Sequence, residues 1–326
     1  MTVQITVIGL GQIGTSIGLA LAKYPDRINR IGYDRVLETQ NKAKELGAFD
    51  AVRFNLPSAI EGTDVVVLSI PLDQIEETLR LIAPDLREDA VVLDFSPQKS
   101  ASYQWFSKHI PTGRHYVGLV PAINPNWIDQ PGGGIQAARA DLFDGATIGI
   151  AAPSGISSQA MKLAADMVEL LGAQTIFLDM LEADGMTMTA HLLPQILSAA
   201  LLNATVGQPG WTETRRFAGQ PFVQSTAALG SDTLEALEQA LFQNPLSATN
   251  ALDNTIGALT HLRMAIEKGD RADLHKRLEL ALADRENWLG ERQRADWNRQ
   301  AEKPDAPKSA DLLKRFFMGN LRKDKK

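Results

Sequence analysis

The chain has 326 residues, 44% of them hydrophobic and 22% charged, so it can build a real core without staples and is not globally disordered. It has no cysteine, which excludes a disulfide framework, a thiol nucleophile and a Cys-ligated metal centre, and its five histidines include no HExxH or close pair to seed a metal site. With 33 basic against 39 acidic residues and a net charge of -6 it lacks the basic footprint of a nucleic-acid binder. No apolar run approaches the ~18 residues of a membrane span, and the N-terminus reads as a strand rather than a signal peptide. The chain is expected to be soluble and cytoplasmic, with no membrane or nucleic-acid partner.

Taken in chain order, Val3–Ile8 reads as a strand, Gln12–Lys23 as a helix, Arg30–Asp34 as a second strand and Leu37–Leu46 as a second helix. Val65–Ile70 and Ala90–Phe95 are aliphatic runs too short for globular helices, separated by the helical Asp73–Leu86. His115–Leu119, Ala146–Ala151 and Gln174–Leu178 look like three further strands, with Ser157–Leu171 a helix between the last two. Such alternation predicts parallel βαβ units, and near-continuous apolar strands suit a sheet covered on both faces. After Asp179 the alternation stops. Ala183–Asn203, Asp232–Phe242, Ala248–Lys268 and Arg271–Arg292 carry helical periodicity, the first apolar around most of its girth. The fold class is therefore α/β: a Rossmann-type doubly wound, mostly parallel sheet over 1–180, then an all-helical domain over 181–300 whose apolar first helix suits a dimer interface. A charged tail occupies 301–326, with a linker at 303–308 and a basic amphipathic end at 312–319.

Gly9-Leu-Gly11-Gln12-Ile13-Gly14 follows the first strand and opens the first helix. In that context Gly9 permits a tight turn, Gly11 lets backbone approach a pyrophosphate, and Gly14 allows close helix–strand packing. The amides of the helix N-terminus then face the phosphate charge. Asp34 ends the second strand, where a carboxylate can bond an adenosine ribose 2′-hydroxyl and would repel a 2′-phosphate. NAD is thus favoured, while the neighbouring Arg35 keeps NADP possible because a guanidinium could receive that phosphate. Asp94 and Lys99 lie at the end of the predicted Ala90–Phe95 strand, at the sheet's carboxyl edge, where doubly wound folds bind ligands. The 124–134 stretch, Asn124-Pro-Asn-Trp-Ile-Asp-Gln-Pro-Gly-Gly-Gly134, is long for a connection and is expected to form a lid.

With this glycine site followed by Ser69-Ile70-Pro71-Leu-Asp, then Val91-Val-Leu-Asp94-Phe-Ser96-Pro97-Gln-Lys99, then a helical region, the chain resembles the prephenate/arogenate dehydrogenase family across roughly residues 3–290. The resemblance implies an NAD(P)-dependent enzyme that oxidises and decarboxylates a cyclohexadienol on the way to tyrosine, with a helical C-terminal domain that commonly makes the dimer. The family pattern Asp-x-Gly-Ser-x-Lys is matched at Asp94 and Lys99, with Ser96 on the Gly position and Pro97 on the Ser. Its Gly-x-His-Pro-Met becomes Gly118-Leu-Val120-Pro121-Ala, with valine where the catalytic histidine belongs. Its Ser-His-Leu-Pro-His becomes Ala190-His191-Leu-Leu-Pro194-Gln, and Arg216 in Glu213-Thr-Arg-Arg216 matches the substrate-carboxylate arginine, with Arg215 competing beside it.

The resemblance thus yields His191, Arg216, Ser96 and Lys99 as candidate catalytic residues. Gly9, Gly11, Gln12, Ile13, Gly14, Asp34, Arg35 and Ile70 form the candidate cofactor set. Alcohol oxidation needs a base to take the hydroxyl proton, which histidine supplies and valine does not. His191 or His115 could take that proton. The alternatives are an NAD-binding sensor or regulatory protein that has lost oxidation, and a dehydrogenase of the same architecture with another substrate.

Overall fold

The computed structural model describes residues 2–130 and 133–294, which fall into two units that divide between Asp184 and Gly185, four residues beyond the expected boundary. The tail at 301–326, with its expected linker and basic end, lies outside the described residues.

The first unit runs β1 (Val3–Ile8), α1 (Gln12–Leu21), β2 (Ile28–Tyr33), α2 (Leu37–Glu45), β3 (Ala51–Val52), α3 (Leu56–Ile60) and β4 (Val65–Leu68). It continues through α4 (Ile75–Ile82), β5 (Val91–Asp94), α5 (Lys99–His109), β6 (His115–Pro121), β7 (Thr147–Ala151), α6 (Ser158–Leu170) and β8 (Gln174–Leu178). The strands form one sheet of order β3-β2-β1-β4-β5-β6-β7-β8, parallel except where β7 runs antiparallel to β6, with Val120 opposite Gly149. The order reverses direction between β1 and β4, whose carboxyl ends lie side by side with Ile8 paired to Leu68. Every residue of β4 and β5 is buried, as continuous apolar strands in a covered sheet require. Burying each Val, Leu or Ile there contributes about 1.5–3 kcal/mol. The buried Arg30 of β2 ties α1 and α2 to the sheet: its guanidinium donates to the carbonyls of Gly18, Gly47 and Ala48 and pairs with Asp50 at 2.6 Å.

Three elements of this unit carry weak sequence signals. β3 has two residues at the sheet edge, and α3 five residues capped by Asn55. α5 buries Ala101, Ser102, Trp105 and Phe106, a face without the aliphatic stripe that marks an amphipathic helix. The predicted helix at 73–86 is shorter than expected, a 3₁₀ turn at Leu72–Gln74 leading into α4. The described residues of the β6–β7 connection on either side of 131–132 are tied to the first unit. Asn124 is buried and donates to Asp141 O at 3.1 Å, Arg139 N donates to Ser16 Oγ of α1 at 2.9 Å, and the Arg139 guanidinium lies 4.0 Å over the Trp127 ring.

The chain passes into the second unit within α7 (Met180–Thr187), then a π turn (Met188–Leu192) and α8 (Leu193–Thr205). Short helices α9 (Trp211–Thr214) and α10 (Gln220–Thr226) precede α11 (Leu234–Gln243), α12 (Pro245–Glu267) and α13 (Arg271–Arg294). The helix predicted over Ala183–Asn203 is thus broken by the π turn ahead of Pro194, which has no amide hydrogen to donate back. Within the turn the His191 carbonyl accepts from Gln195 Nε2 at 3.2 Å. Contrary to the sequence reading, Met180–Thr205 is long and apolar enough to cross a membrane by length and composition, with mean hydropathy 1.2. It also carries Gln195 and Ser198, buried and hydrogen-bonded to Asp232 and to the Ser225 carbonyl. α12 and α13 bury only Ala248 and Ala265 between them and leave Ile256, Leu259, Ile266 and Trp288 exposed.

Candidate cofactor site and the polar cluster beside it

The β1–α1 turn has the geometry that its glycines predict. Gly9 sits at φ +92, and a Cβ there would run into the Ser69 carbonyl at the end of β4 and lie 2.7 Å from Ile70 Cγ2. A Cβ at Gly14 would overlap the Gly9 carbonyl oxygen. Gly11 differs: among the described residues a Cβ there would meet nothing within 4 Å, so none of them demands glycine. The space that its missing side chain leaves is the approach a pyrophosphate needs in front of the α1 N-terminus. Asp34, just beyond β2, accepts from Leu10 N through one carboxylate oxygen and from Val36 N through the other, both at 2.8 Å. These bonds fix the carboxylate beside the glycine turn while leaving lone pairs for a ribose hydroxyl. Gln12 and Ile13 are half-buried in the first turn of α1, and Arg35 is exposed. The residues present therefore fit a dinucleotide lying over the carboxyl ends of β1 and β4.

Further along the same edge, a buried polar cluster closes the β5–α5 turn. The Asp94 carboxylate accepts from Ser96 N at 2.8 Å, from Ser96 Oγ at 2.7 Å and from Tyr116 OH at 2.7 Å. Ser96 Oγ also meets Ser102 Oγ at 2.9 Å. Lys99 threads past Gly118, where a Cβ would lie 2.6 Å from its Cδ, and its ammonium donates to the carbonyls of Asp94 and Ser96. Asp184 of α7 accepts from the first two amides of α5, Lys99 N at 2.5 Å and Ser100 N at 3.1 Å. Burial pushes the Lys99 ammonium below its ordinary pKa, against the pull of Asp94 and Asp184, and holds the Asp184 carboxyl above its own. Burial, reinforced by the Asp94 charge, likewise raises the Tyr116 hydroxyl well above its usual range.

The sequence-derived candidates separate accordingly. Gly9, Gly11, Gly14, Asp34 and Ile70 come together at one turn, with Gln12 and Ile13 behind it. Ser96 and Lys99 lie at the expected edge, where their hydroxyl and ammonium are hydrogen-bonded within the buried cluster. Val120, on the histidine position, is half-buried on β6. His115 starts β6, at the amino end of the parallel strands and about 20 Å of chain from its carboxyl end, which removes it as a proton acceptor at this edge. His191 and Arg216 lie in the second unit, both exposed, His191 within the π turn. Arg215 donates to the Thr212 carbonyl. Sequence reasoning missed Asp184, Tyr116, Ser102 and Gln98. Asp184 is 85 positions from its partner Lys99, a separation at which no local spacing carries a signal.

A Rossmann sheet with this turn, acid and strand order defines a dinucleotide-binding unit. Comparison with known proteins narrows the class. Residues 17–177 match the family model described as "Prephenate dehydrogenase, nucleotide-binding domain", a match that begins inside α1 just past the glycine turn. A cyclohexadienyl dehydrogenase of Zymomonas mobilis is 25% identical over 82% of this chain and 89% of its own length. A prephenate dehydrogenase of Lactococcus lactis is 26% identical over 82% of this chain and 72% of its own. Among solved structures, the prephenate dehydrogenase of A. aeolicus in complex with hydroxyphenyl propionate and NAD+ superposes with a TM-score of 0.76 at 19% identity, over 88% of this chain and 99% of that one. The first unit thus matches the nucleotide-binding domain of prephenate dehydrogenases, and the chain is similar to cyclohexadienyl and prephenate dehydrogenases over 82% of its length.

Proposed function

We propose that the chain is an NAD-dependent dehydrogenase of the prephenate/arogenate type, acting on a small carboxylated cyclohexadienol in tyrosine biosynthesis, and cytoplasmic like other enzymes of small-molecule metabolism. The observation that carries this reading is the β1–α1 turn, in which Gly11 leaves open space at a helix N-terminus while the Asp34 carboxylate is pinned beside it. That carboxylate favours NAD, because a 2′-phosphate would meet its charge; the exposed Arg35 is what keeps NADP in play. Bound there, NAD supplies the hydride acceptor. Arg216 holds the substrate carboxylate through a charge-assisted bond, and His191 accepts the hydroxyl proton. Ser96 and Lys99 keep the β5–α5 turn in place. The helical unit makes a homodimer, supported by the apolar side chains that α12 and α13 leave in water.

A second reading has a specific observation in its favour. Val120 offers no proton acceptor, and Asp94, Lys99 and Tyr116 at the β5–β6 edge are buried, the Tyr116 hydroxyl donating to the Asp94 carboxylate and the Lys99 ammonium to backbone carbonyls. That suits a protein that binds NAD as a sensor or regulatory subunit, or a dehydrogenase with a different substrate. Val120→His decides between them. General-base assistance is worth roughly 10²–10⁴-fold, so a prephenate-type site missing this one part should gain at least tens-fold in turnover of prephenate or arogenate. Unchanged turnover with NAD binding retained would favour the sensor or another substrate. Brisk turnover by the parent protein would make His191→Ala the variant that must lose activity.

A further inference from the structure

The N-cap position of α5 is occupied by Gln98, yet its side chain makes no capping bond. The capping is done from a distance: Asp184 accepts from the amides of Lys99 and Ser100. Gln98 is only 1% exposed, and its Nε2 finds no acceptor among the described residues. A carboxamide donor closed off from water without a partner is rare enough in folded proteins to need an explanation. The turn that carries it is also held unusually firmly, since the Lys99 ammonium takes two of its carbonyls and the Asp94 carboxylate takes the Ser96 amide and hydroxyl. It lies at the carboxyl end of β5, on the β4–β6 half of the sheet, across the switch point from the glycine turn. In a doubly wound sheet a dinucleotide spans that switch point, one nucleotide over each half.

We infer that Gln98 is a binding residue for the nicotinamide half of the dinucleotide, donating from Nε2 to an acceptor of that half, and that Asp184 and Lys99 are its positioning residues. The inference rests on the dehydrogenase reading and adds to it the group that reads the second nucleotide. By taking over the helix cap, Asp184 frees the Gln98 carboxamide, while Lys99 fixes the turn on which it sits.

The test compares two ligands by calorimetry on the full chain: NAD, and ADP-ribose, which has the adenosine and pyrophosphate but no nicotinamide. Gln98→Leu should weaken NAD by about tenfold, leave ADP-ribose unchanged and keep or raise Tm, because it removes an unpaired buried donor. A residue with only a structural role would not produce that combination. Asp184→Asn, which keeps one acceptor and loses the other, should shift the same balance in the same direction, and Tyr116→Phe, which removes one bond to Asp94, more weakly. If Asp184→Asn does not fold, Gln98→Leu decides alone. Equal losses for both ligands, or no loss of NAD affinity in Gln98→Leu as expected if only a buried water meets Nε2, would overturn the inference. A parent protein that binds neither ligand would instead bring down the dehydrogenase reading, and this inference with it.

Discussion

At the scale of single residues, the three fingerprint glycines are glycine for different reasons, and the reasons can be separated by experiment. Gly14→Ala places a methyl group onto the Gly9 carbonyl and must force α1 away from β1, so it should cost stability as overpacking does, about 1–3 kcal/mol. Gly11→Ala meets no atom of the described residues, and its φ of -70 is open to alanine. It should leave Tm within a degree or two of the parent while weakening NAD by about tenfold or more, since the methyl group occupies the approach to the helix N-terminus. Thermal unfolding and calorimetry on the two variants check this. A fall in Tm for Gly11→Ala as large as for Gly14→Ala would mean that the space in front of α1 is not a ligand's.

At the scale of elements, the π turn between α7 and α8 closes with the Leu193 amide donating to the Met188 carbonyl, and a side chain reinforces it. Pro194 cannot donate, and Gln195, 1% exposed, reaches the His191 carbonyl and the Asp232 carboxylate with its Nε2. Gln195→Leu leaves both acceptors short of a donor, which should cost about 1–3 kcal/mol in urea unfolding. Because His191 lies inside the turn, the same variant should lower turnover more than it lowers NAD affinity; equal losses would detach His191 from the chemistry. α5 teaches the complementary lesson. Its buried face of Ala101, Ser102, Trp105 and Phe106 has no aliphatic periodicity, and its N-terminus is capped by a residue of another helix, so neither signal by which a helix start is read was present in its own sequence.

At the scale of the whole molecule, two properties follow from burial. Burial lowers the pKa of Lys99 in the folded state from its ordinary 10.5, whereas the unfolded chain keeps that value. Between the lowered native value and 10.5 the unfolded chain therefore binds more protons, and the contribution of Lys99 to stability rises with pH across that window. Urea unfolding of the parent and of Lys99→Met at a series of pH values should give a stability difference that grows in the parent's favour as pH rises. A difference independent of pH would mean that Lys99 titrates normally in the fold. The second property concerns the helical unit, where Ile256, Leu259 and Ile266 on α12 and Trp288 on α13 are exposed. Sedimentation at micromolar concentration should find a dimer, and replacing Ile256 and Leu259 by Asp should dissociate it without unfolding the first unit. A monomeric parent would remove the dimer from the proposal.

What the sequence determined by itself is what local physics encodes. Aliphatic runs of strand length, the glycine turn between the first strand and helix, and the acid after the second strand are all set by residues within a few dozen positions of one another. They sufficed for the α/β class, the helical second part and the cluster of Gly9, Gly11, Gly14 and Asp34. Only the tertiary structure decided the rest. It turned Ser96 and Lys99 inward, since their partners Asp94, Ser102 and Tyr116 converge on them from β5, α5 and β6, and it moved His115 to the far end of its strand. It also brought Asp184 from α7 to the start of α5 across 85 positions, leaving Gln98 unpaired. Polar side chains have no periodicity that announces their partners. Which hydroxyl, ammonium or carboxamide is satisfied, and which is left over, is settled only when distant elements pack together and exclude water.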